Sequence, residues 1–366
     1  MKRFFAAVLT AGLLVFQMPA VCAVGTSASS AILMDAGSGR VLYEQNAREP
    51  RLIASITKLM TALVALESGH ELNEPVTIQP EWAGVEGSSI YLRAGEQVAL
   101  ETLLYGMLLR SGNDAALAVA GCCGGTVEAF VDQMNETAQR LGMKDSHFAN
   151  PNGLNAEGHY SSAYDMALLA KACLENETLA KIVSTKTITL GTRTFTNHNK
   201  LLWRYEGCVG MKTGYTEKAG RTLVSAAQRD GLTLICVTLN DPDDWSDHAA
   251  LFDYGFSQYR AEQLARTAQI LCRLPVKGSL MPFCPVVAAS DCSIALTEQE
   301  QVTVSFELQG TELTAPVLKG TPVGEAVYSL NGKEIGRVAL MTGQNVPADL
   351  ASDLGFWDRL KGRLTG

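Results

Sequence analysis

Apolar and polar residues follow two kinds of period between residues 30 and 271, one typical of strands and one typical of helices. Short apolar runs at Ala31–Asp35 and Arg40–Glu44 predict two strands, and the glycines of Ala36-Gly37-Ser38-Gly39 predict a hairpin turn between them. Apolar positions at helical spacing then predict a helix from Ser55 to about Ser68. Further helices are predicted at Leu100–Leu109, Asn113–Ala120, Val127–Leu141 and Asp165–Leu174.

Strand-like patterns return after these helices. They predict strands at Thr187–Leu190, Thr194–Thr196, Arg221–Gln228 and Thr233–Leu239, followed by a helix from Asp243 to about Tyr259. Because strands lie at both ends of this region and helices lie between them, we expect one antiparallel sheet with helices packed against it. The predicted fold class is α+β, and the two ends of the region must meet in the sheet.

Helical periodicity disappears from Leu274 to about Thr342, where turn signals recur at short intervals. Strands are predicted at Val302–Leu308, Ala326–Leu330 and Glu334–Leu340, the last two joined by Asn331-Gly332. This pattern is typical of a small all-β domain. We therefore expect a first domain over residues 24–271 and a C-terminal β-domain over residues 272–345.

The last segment, residues 346–366, has the pattern of an amphipathic helix. Apolar residues at helical spacing stand beside basic ones, at Leu350, Leu354, Trp357, Leu360 and Leu364 and at Arg359, Lys361 and Arg363. A helix of this kind can lie on a membrane surface. Gly355 and Gly362 weaken any helix, so an irregular tail is the alternative.

The N-terminus has the layout of a secretory signal peptide. Lys2 and Arg3 precede an uncharged run that ends at Phe16, and small residues follow up to Ala23. We predict cleavage after Ala23, so residues 1–23 would be absent from the mature protein and the protein would be exported. A retained anchor or a lipoprotein modified at Cys22 is the alternative, but the run is short for a bilayer and the residues before Cys22 fit a lipoprotein signal poorly.

Composition and charge narrow the class of protein. The 366 residues are 47% hydrophobic and 19% charged, which excludes an intrinsically disordered chain. The formal net charge is −8, so there is no long-range positive field to hold a nucleic-acid backbone. Nucleic acid is therefore not expected as a partner.

Export would affect the state of the cysteines. Eight of them follow the predicted cleavage site, namely Cys122, Cys123, Cys173, Cys208, Cys236, Cys272, Cys284 and Cys292. This content is far below that of a disulfide-built scaffold, so most are expected to be buried apolar residues. The adjacent Cys122 and Cys123 are expected to pack as thiols, whereas Cys272, Cys284 and Cys292 are close enough in sequence to include one disulfide.

Ser55 and Lys58 stand one helical turn apart at the start of the first predicted helix. A serine hydroxyl becomes a good nucleophile when a base within hydrogen-bonding reach accepts its proton, and a lysine can do this when burial or a neighbouring cation keeps it neutral. The apolar run Leu59–Leu66 predicts that the helix is buried with Lys58 at its head. The pair alone is not decisive, because an N-cap serine followed by a surface lysine gives the same spacing.

Two further polar motifs follow along the chain. Ser111-Gly112-Asn113-Asp114 lies between two predicted helices, where Asn113 could equally be a simple N-cap. Lys212-Thr213-Gly214 ends an apolar stretch that begins at Cys208. Glycine on an edge strand lets a ligand backbone approach closely, and lysine with threonine can bind a carboxylate.

The three motifs in this order resemble the signature set of class A β-lactamases and penicillin-binding proteins. Their variants here, Ser55-Ile56-Thr57-Lys58, Ser111-Gly112-Asn113 and Lys212-Thr213-Gly214-Tyr215, resemble the low-molecular-mass D-alanyl-D-alanine carboxypeptidases, the S11 serine peptidases. The likeness covers about residues 28–260 and continues into the β-region at Lys319–Gly324. The resemblance implies a β-lactamase/transpeptidase-like sheet flanked by helices, with a C-terminal β-sandwich. It also implies an enzyme at the extracytoplasmic face of the bacterial envelope that removes the terminal D-Ala from peptidoglycan stem pentapeptides. Such an enzyme would be acylated by β-lactam antibiotics.

The same resemblance implies a role for each motif residue. Ser55 would be the nucleophile and Lys58 the general base, while Ser111 would relay protons. Asn113 would orient the substrate amide. Lys212 would supply positive charge that also helps to keep Lys58 neutral.

The resemblance also implies how the substrate is held. Thr213, beside Gly214, would contact the terminal carboxylate of the peptide. The backbone N–H groups of Ser55 and Tyr215 would form the oxyanion hole. Some relatives carry histidine where this chain has Tyr215, and since only the backbone is needed there, the difference would affect rate and not reaction.

Other functions share part of this pattern. A β-lactamase would share Ser55, Lys58 and Lys212 but needs a base for rapid deacylation, and no convincing Glu-x-x-Asn element lies between the second and third motifs. A DD-endopeptidase or a catalytically silent wall-binding protein on the same fold are further alternatives. No His-Glu-x-x-His or Gly-x-Ser-x-Gly motif occurs, so neither a metal nor a cofactor is predicted. His159 could border the site, although an ordinary polar loop residue is the simpler interpretation.

Overall fold

The two ends of the N-terminal region meet in one five-stranded antiparallel sheet of order β2-β1-β9-β8-β7 in the computed structural model, which describes residues 24–349. The strands of this region are β1 Ser30–Asp35, β2 Val41–Gln45, β3 Pro75–Thr77, β4 Gln97–Ala99, β5 Thr187–Leu190, β6 Arg193–Thr196, β7 Cys208–Thr216, β8 Gly220–Arg229 and β9 Leu232–Leu239. Within the sheet, Ser30 lies opposite Leu239 and Asp35 opposite Leu234. The predicted α+β class is confirmed, and β7 is an edge strand.

Helices cover both faces of this sheet. They are α1 Lys58–Glu67, α2 Leu100–Leu109, α3 Asn113–Gly124, α4 Val127–Arg140, α5 Ala163–Glu175, α6 Glu177–Ser184, α7 Leu201–Arg204 and α8 Asp244–Gln258, with 3₁₀ turns at Ala54–Thr57 and Pro80–Trp82. Side chains alternate between the faces of a strand, so Ile32 and Met34 join the large core with α1 to α6, whereas Leu33 packs on the opposite side with Leu251 of α8.

Several helix boundaries differ from the sequence prediction. Helix α3 continues to Gly124 because the Gly-Cys-Cys-Gly segment, although poor in intrinsic helix propensity, is packed against Phe130 of α4. Helix α6 was not predicted; it begins where Asn176 caps it by accepting a hydrogen bond from the N–H of Leu179, 3.0 Å away.

The C-terminal region is all β, as predicted. Its strands are β10 Arg260–Ala265, β11 Ile270–Lys277, β12 Phe283–Ala288, β13 Cys292–Leu296, β14 Val302–Leu308, β15 Leu313–Thr314, β16 Pro322–Leu330 and β17 Lys333–Thr342. Six of them form a sheet of order β14-β16-β17-β12-β11-β15, and β10 pairs with β13. Because β10 precedes residue 272 and pairs beyond it, the exact division between the two predicted domains stays a prediction.

The β1–β2 hairpin contacts the C-terminal region through buried polar groups. The carboxylate of Asp35 accepts a hydrogen bond from the N–H of Ala295 at 3.0 Å. Arg40 donates to the carbonyl of Ala295 at 2.7 Å and forms a two-pronged ion pair with Glu300, at 2.5 and 2.9 Å. A bidentate, partly buried pair is among the stronger side-chain contacts, so these groups fix β13 against the predicted hairpin.

All eight cysteines that follow residue 23 are free thiols in the structure. The disulfide considered among Cys272, Cys284 and Cys292 is therefore not formed. The predicted signal peptide, residues 1–23, and residues 350–366 of the predicted tail lie outside the described residues. In the part of the chain that is described, no single helix is long and apolar enough to cross a membrane; α3 and α4 meet that criterion only together, as a pair bent by 85°.

Candidate active site

Ser55 lies in a strained turn and not at the first position of a regular helix. The segment Ala54–Thr57 is a 3₁₀ turn, and α1 begins only at Lys58. Ala54 has φ +50°, a left-handed conformation that is unfavourable for a residue with a side chain. Thr222 of β8 holds this turn by donating to the carbonyl of Ile53 at 2.9 Å. The predicted spacing between Ser55 and Lys58 is nevertheless present, because the 3₁₀ turn leads directly into α1.

Lys58 is fully buried, with its amine among three oxygen atoms. Its Nζ lies 2.8 Å from Ser55 Oγ, 2.8 Å from Asn113 Oδ1 and 2.5 Å from the carbonyl oxygen of Asn152. Burial lowers the pKa of Lys58 well below its usual value, and the nearby cation Lys212 lowers it further. Both effects favour the uncharged form of the amine.

The partners of Lys58 fix the direction of its hydrogen bond to Ser55. A neutral amine has two hydrogens and one lone pair. Asn113 donates through Nδ2 to the carbonyl of Glu86 at 2.6 Å, so its Oδ1 faces Lys58 as an acceptor. That oxygen and the carbonyl of Asn152 take both amine hydrogens. The lone pair is then left for the hydroxyl of Ser55, which is the geometry of a base ready to accept the serine proton.

The Ser111-Gly112-Asn113-Asp114 motif opens α3. The N-cap is Gly112, and no side-chain cap is present there, so Asn113 does not serve as the N-cap that its residue type allowed. Its side chain is instead committed to Lys58 and Glu86. Ser111 has φ +63° and is buried, which places a second strained residue at the site.

Asp114 fixes the loop that faces this motif. Its fully buried carboxylate accepts hydrogen bonds from the N–H of Ile90 at 3.1 Å, the N–H of Leu92 at 3.0 Å and the hydroxyl of Ser89 at 2.6 Å. Between these anchors the side chain of Tyr91 points into solvent, with 82% of its surface exposed. The loop therefore presents an aromatic side chain beside the motif on a backbone that Asp114 holds.

The third motif lies on the edge strand β7. Lys212 is buried, and its Nζ donates to the carbonyl of Thr213 at 2.7 Å. Burial lowers the pKa of Lys212 to about 7. Its charge acts on a second neighbour as well: burial, Lys212 and Arg110 lower the pKa of His198 to about 4. Lys212 therefore titrates near neutral pH, and a bound anion would favour its charged form.

Gly214 lets β7 approach Ser55. A Cβ atom at this position would lie 2.9 Å from the backbone nitrogen of Ser55 and 2.4 Å from Oγ1 of Thr222. Thr213 and Tyr215 flank it, the former partly buried and the latter exposed. The structure therefore places Asn113 against Lys58 and Gly214 against Ser55, with Lys212 close enough to affect the pKa of Lys58. Ser111, Thr213 and Tyr215 are the chain neighbours of these residues.

Sequence analysis missed the turn Asn150–Gly153, which completes the surroundings of Lys58. Thr61 of α1 donates to the carbonyl of Pro151 at 2.6 Å, one turn after Lys58 donates to that of Asn152. Gly153 has φ +84°, and a Cβ there would lie 2.0 Å from the carbonyl oxygen of Ala54. The Asn-Pro and Asn-Gly pairs are typical of a turn, but they do not indicate that this turn contacts Lys58.

His159 lies in a loop, as the simpler interpretation expected, but it is buried and contacts the turn Ala54–Thr57. Its Nδ1 accepts a hydrogen bond from the N–H of Ala149 at 3.1 Å, so the ring hydrogen is on Nε2, which donates to Thr57 Oγ1 at 2.9 Å. Thr57 in turn donates to the carbonyl of Ala54 at 2.8 Å. Burial lowers the pKa of His159 to about 4, so the ring is uncharged at neutral pH. Its Nδ1 therefore remains an acceptor and its Nε2 a donor.

Comparison with known proteins identifies the family of this chain. The family model described as D-alanyl-D-alanine carboxypeptidase, peptidase S11, matches residues 18–243. The chain belongs to this family. A second model, the C-terminal domain of penicillin-binding protein 5, matches residues 275–348.

Named relatives of this S11 chain are similar along most of their length. D-alanyl-D-alanine carboxypeptidase DacF of Bacillus subtilis is 32% identical over 353 residues, covering 91% of each chain. DacA of Escherichia coli K12 is 34% identical over 339 residues, covering 87% of this chain and 84% of the relative.

Solved structures show the same fold. Penicillin-binding protein 5 from Haemophilus influenzae superposes with a TM-score of 0.76 at 31% identity, covering 88% of this chain and 98% of that one. A mutant of the Streptomyces K15 DD-transpeptidase matches with a TM-score of 0.62 at 33% identity, and covers 64% of this chain but 99% of its own. The N-terminal region of this S11 member therefore corresponds to a fold that exists without the C-terminal one.

Substitution Gly153→Ala should reduce the acylation rate of this S11 enzyme by about ten- to hundredfold. The new Cβ would overlap the carbonyl of Ala54, whose displacement moves Ser55 relative to Lys58, and errors of about 1 Å in such a site cost this much. The rate of labelling by a fluorescent penicillin measures the effect.

Gly142→Ala is the matched control. Gly142 has a similar φ of +74°, but a Cβ there meets no atom within 4 Å. It imposes the same kind of backbone strain away from the nucleophile, so its acylation rate should stay near that of wild type. Equal rates for the two variants would contradict the proposed contact.

The acylation rate should rise with pH as Lys58 loses its proton and should fall as the pH drops through the Lys58 pKa. Because the charge of Lys212 contributes to lowering that pKa, Lys212→Gln should move the acid limb of the profile to higher pH, besides reducing the maximal rate. Acylation rates across a pH series give the limb position independently of its height. A limb that stays in place or moves to lower pH in the variant would contradict the assignment.

Proposed function

We propose that this protein is a serine D-alanyl-D-alanine carboxypeptidase that removes the terminal D-alanine from peptidoglycan stem peptides. The observation that carries the proposal is the environment of Lys58, a buried amine that lies 2.8 Å from Ser55 Oγ, 2.8 Å from Asn113 Oδ1 and 2.5 Å from the carbonyl oxygen of Asn152. In the uncharged amine the last two acceptors take both hydrogens, and the lone pair is left for the Ser55 hydroxyl. Family membership supports the same reaction, since the named relatives are D-alanyl-D-alanine carboxypeptidases.

The reaction begins with transfer of the Ser55 proton to Lys58. Ser55 Oγ attacks the carbonyl carbon of the penultimate D-alanine, and the negative oxygen that forms is bound by the N–H groups of Ser55 and Tyr215. The C–N bond then breaks. The proton held by Lys58 passes through Ser111 to the leaving amine, so free D-alanine departs and an acyl-enzyme remains on Ser55.

Hydrolysis of the acyl-enzyme uses the same base. Once Lys58 has given up its proton it is neutral again, and it can accept a proton from a water molecule that attacks the ester carbonyl. Breaking the ester bond returns the proton to Ser55 Oγ. The shortened peptide leaves with a new terminal carboxylate, and the starting state is restored.

Lys212, Thr213 and Asn113 hold the substrate through polar groups that can form further hydrogen bonds. Lys212 and Thr213 bind the terminal carboxylate, and this anion would raise the pKa of Lys212 and keep it charged. Asn113 uses one Nδ2 hydrogen on Glu86. The Asn113 amide has a second Nδ2 hydrogen that can bind the substrate amide carbonyl. The contact between Asn113 and Lys58 is therefore compatible with a role in orienting the peptide.

A pentapeptide ending in D-Ala-D-Ala should lose one alanine when incubated with the mature enzyme. Mass spectrometry of the products detects the change, and Ser55→Ala should reduce it by at least about a thousandfold. Ser257→Ala is the control, because Ser257 is exposed on α8 and bonds only within its own helix turn in the structure.

Labelling with fluorescent penicillin separates the alternatives. If penicillin labels the protein but the pentapeptide stays intact, the assignment moves to an endopeptidase. Rapid release of the drug would favour a β-lactamase. A well-folded wild-type protein that is not labelled would indicate a wall-binding protein. Each of these results contradicts the carboxypeptidase proposal.

We also propose that the protein is exported and that its tail contacts the membrane surface peripherally. The signal-peptide pattern of residues 1–23 and the amphipathic pattern of residues 350–366 support this. The structure adds an exposed apolar site where the described chain ends. Asp349 donates its N–H to the carbonyl of Gly278 at 3.0 Å and accepts from the N–H of Leu280, whose side chain is 81% exposed.

The mature chain should therefore sediment with vesicles that contain anionic lipid, while a chain ending at Asp349 should stay largely in the supernatant. Loss of the apolar leucines and of the three basic residues removes both contributions to binding. Equal labelling of the two proteins by fluorescent penicillin controls for folding. Equal sedimentation of both, or of neither, would contradict the proposal.

A further inference from the structure

Three side chains that can bind metal converge away from the proposed catalytic residues. His70 and Glu74 lie in the loop between α1 and β3, and Cys122 lies near the end of α3. His70 Nδ1 is 2.7 Å from Glu74 Oε2. Together with Cys122 Sγ, these ligand atoms all lie within 4.8 Å of one another, and all three residues are partly buried. The two segments are far apart in sequence, so the sequence pattern does not reveal this cluster.

We propose that His70, Glu74 and Cys122 form a zinc-binding site. An imidazole nitrogen, a carboxylate oxygen and a thiolate sulfur are the donor types that zinc takes together. The thiolate argues against the hard cations Mg²⁺ and Ca²⁺, which prefer oxygen ligands. Partial exposure of all three residues leaves a path for the ion and a fourth position for water.

The distances are compatible with tetrahedral coordination after small movements. Bonds of about 2.0 Å to nitrogen or oxygen and about 2.3 Å to sulfur place the ligand atoms of such a site roughly 3.3 to 3.6 Å apart. The hydrogen-bonded His70 and Glu74 would open, and the wider separations in the cluster would close, each by on the order of 1 Å. Rotation of these partly buried side chains can supply this without moving the backbone.

The backbone that carries the ligands is already fixed. The N–H of Glu74 donates to the carbonyl of Glu71 at 3.0 Å, and the carbonyl of Glu74 accepts from the N–H of Leu100 at 3.0 Å. The neighbouring Leu72 carbonyl accepts from the N–H of Glu101 at 2.8 Å. The loop is therefore attached to the start of α2, while Cys122 belongs to a helix packed in the core. Such preorganisation lowers the entropic cost of binding an ion.

The proposed ion would stabilise the fold and take no part in the reaction. It would join the loop that follows α1, the helix of Lys58, to the last turns of α3, the helix of Asn113. Cys122 is about 13 Å along α3 from Asn113, too far for an ion there to touch the substrate. A rise in thermal stability is the expected consequence, with an unchanged acylation rate.

Titration of the tag-free mature protein with Zn²⁺ after removal of metal by a chelator tests the site. Calorimetry should give about one equivalent of bound zinc, and the unfolding temperature should rise with zinc. Cys122→Ser and His70→Gln should each weaken binding by at least about tenfold, since even partners outside the ligand set are worth this much. Cys272→Ser, which removes another partly buried thiol in the C-terminal sheet, should bind as wild type.

Cobalt gives a second readout. Co²⁺ bound by Cys122 should produce a thiolate-to-cobalt charge-transfer band that is absent in Cys122→Ser and present in Cys272→Ser. Labelling by fluorescent penicillin verifies that each variant is folded. Absence of stoichiometric zinc binding, or binding that is unchanged in both ligand variants, would overturn the proposal. Either result leaves the carboxypeptidase proposal unaffected, because the two are measured separately.

Discussion

The burial of an uncharged lysine beside a serine hydroxyl is the constraint on which the rest of the active site depends. An ammonium group at the position of Lys58 would have to leave water for the interior of the protein, which is costly without a paired anion. The amine escapes that cost by giving up its proton, and Asn113 and Asn152 then satisfy both of its hydrogens. The partners of Lys58 therefore determine a protonation state as well as a position. The serine proton has an acceptor because no other group occupies the remaining lone pair.

Holding this arrangement requires strain that the surrounding structure must compensate. Left-handed conformations at Ala54 and Ser111 cost about 1–3 kcal/mol each. Around Ala54 three contacts compensate for this strain. Thr57, within the same turn, donates to the carbonyl of Ala54, Gly153 packs against that carbonyl, and Thr222 of β8 donates to the carbonyl of Ile53. Because Gly153 and Thr222 lie on a loop and a strand far from Ala54 in sequence, the turn Ala54–Thr57 is stabilised only when these parts of the region have folded together.

The three polar motifs and the order of strands and helices could be read from the sequence. Ser55 and Lys58 are one turn apart in any helix-like conformation, and the meeting of the first and last strands followed from the order of elements. What the sequence could not predict is carried by the backbone or by distant loops. The contact of Lys58 with Asn152 uses a backbone carbonyl, which any residue type could supply. The role of His159 depends on the contacts of its two ring nitrogens with Thr57 and Ala149, which the sequence does not show. Asn113 had the residue type of an N-cap, but its tertiary contacts with Lys58 and Glu86 took precedence.

The two charged neighbours of Lys58 act in opposite directions, and their balance explains why the site contains two buried lysines. Lys212 lowers the pKa of Lys58, whereas the carboxylate of Asp114, directly after Asn113, raises it. Were Asp114 to pair directly with Lys58, the amine would be held as a cation and could not accept the serine proton. Asp114 is instead turned toward the 89–92 loop, where backbone N–H groups and a hydroxyl satisfy its oxygens. The same carboxylate thus fixes the loop from within the core. Its effect on Lys58 is the smaller one, because burial and Lys212 together lower the pKa of Lys58 by more than Asp114 raises it.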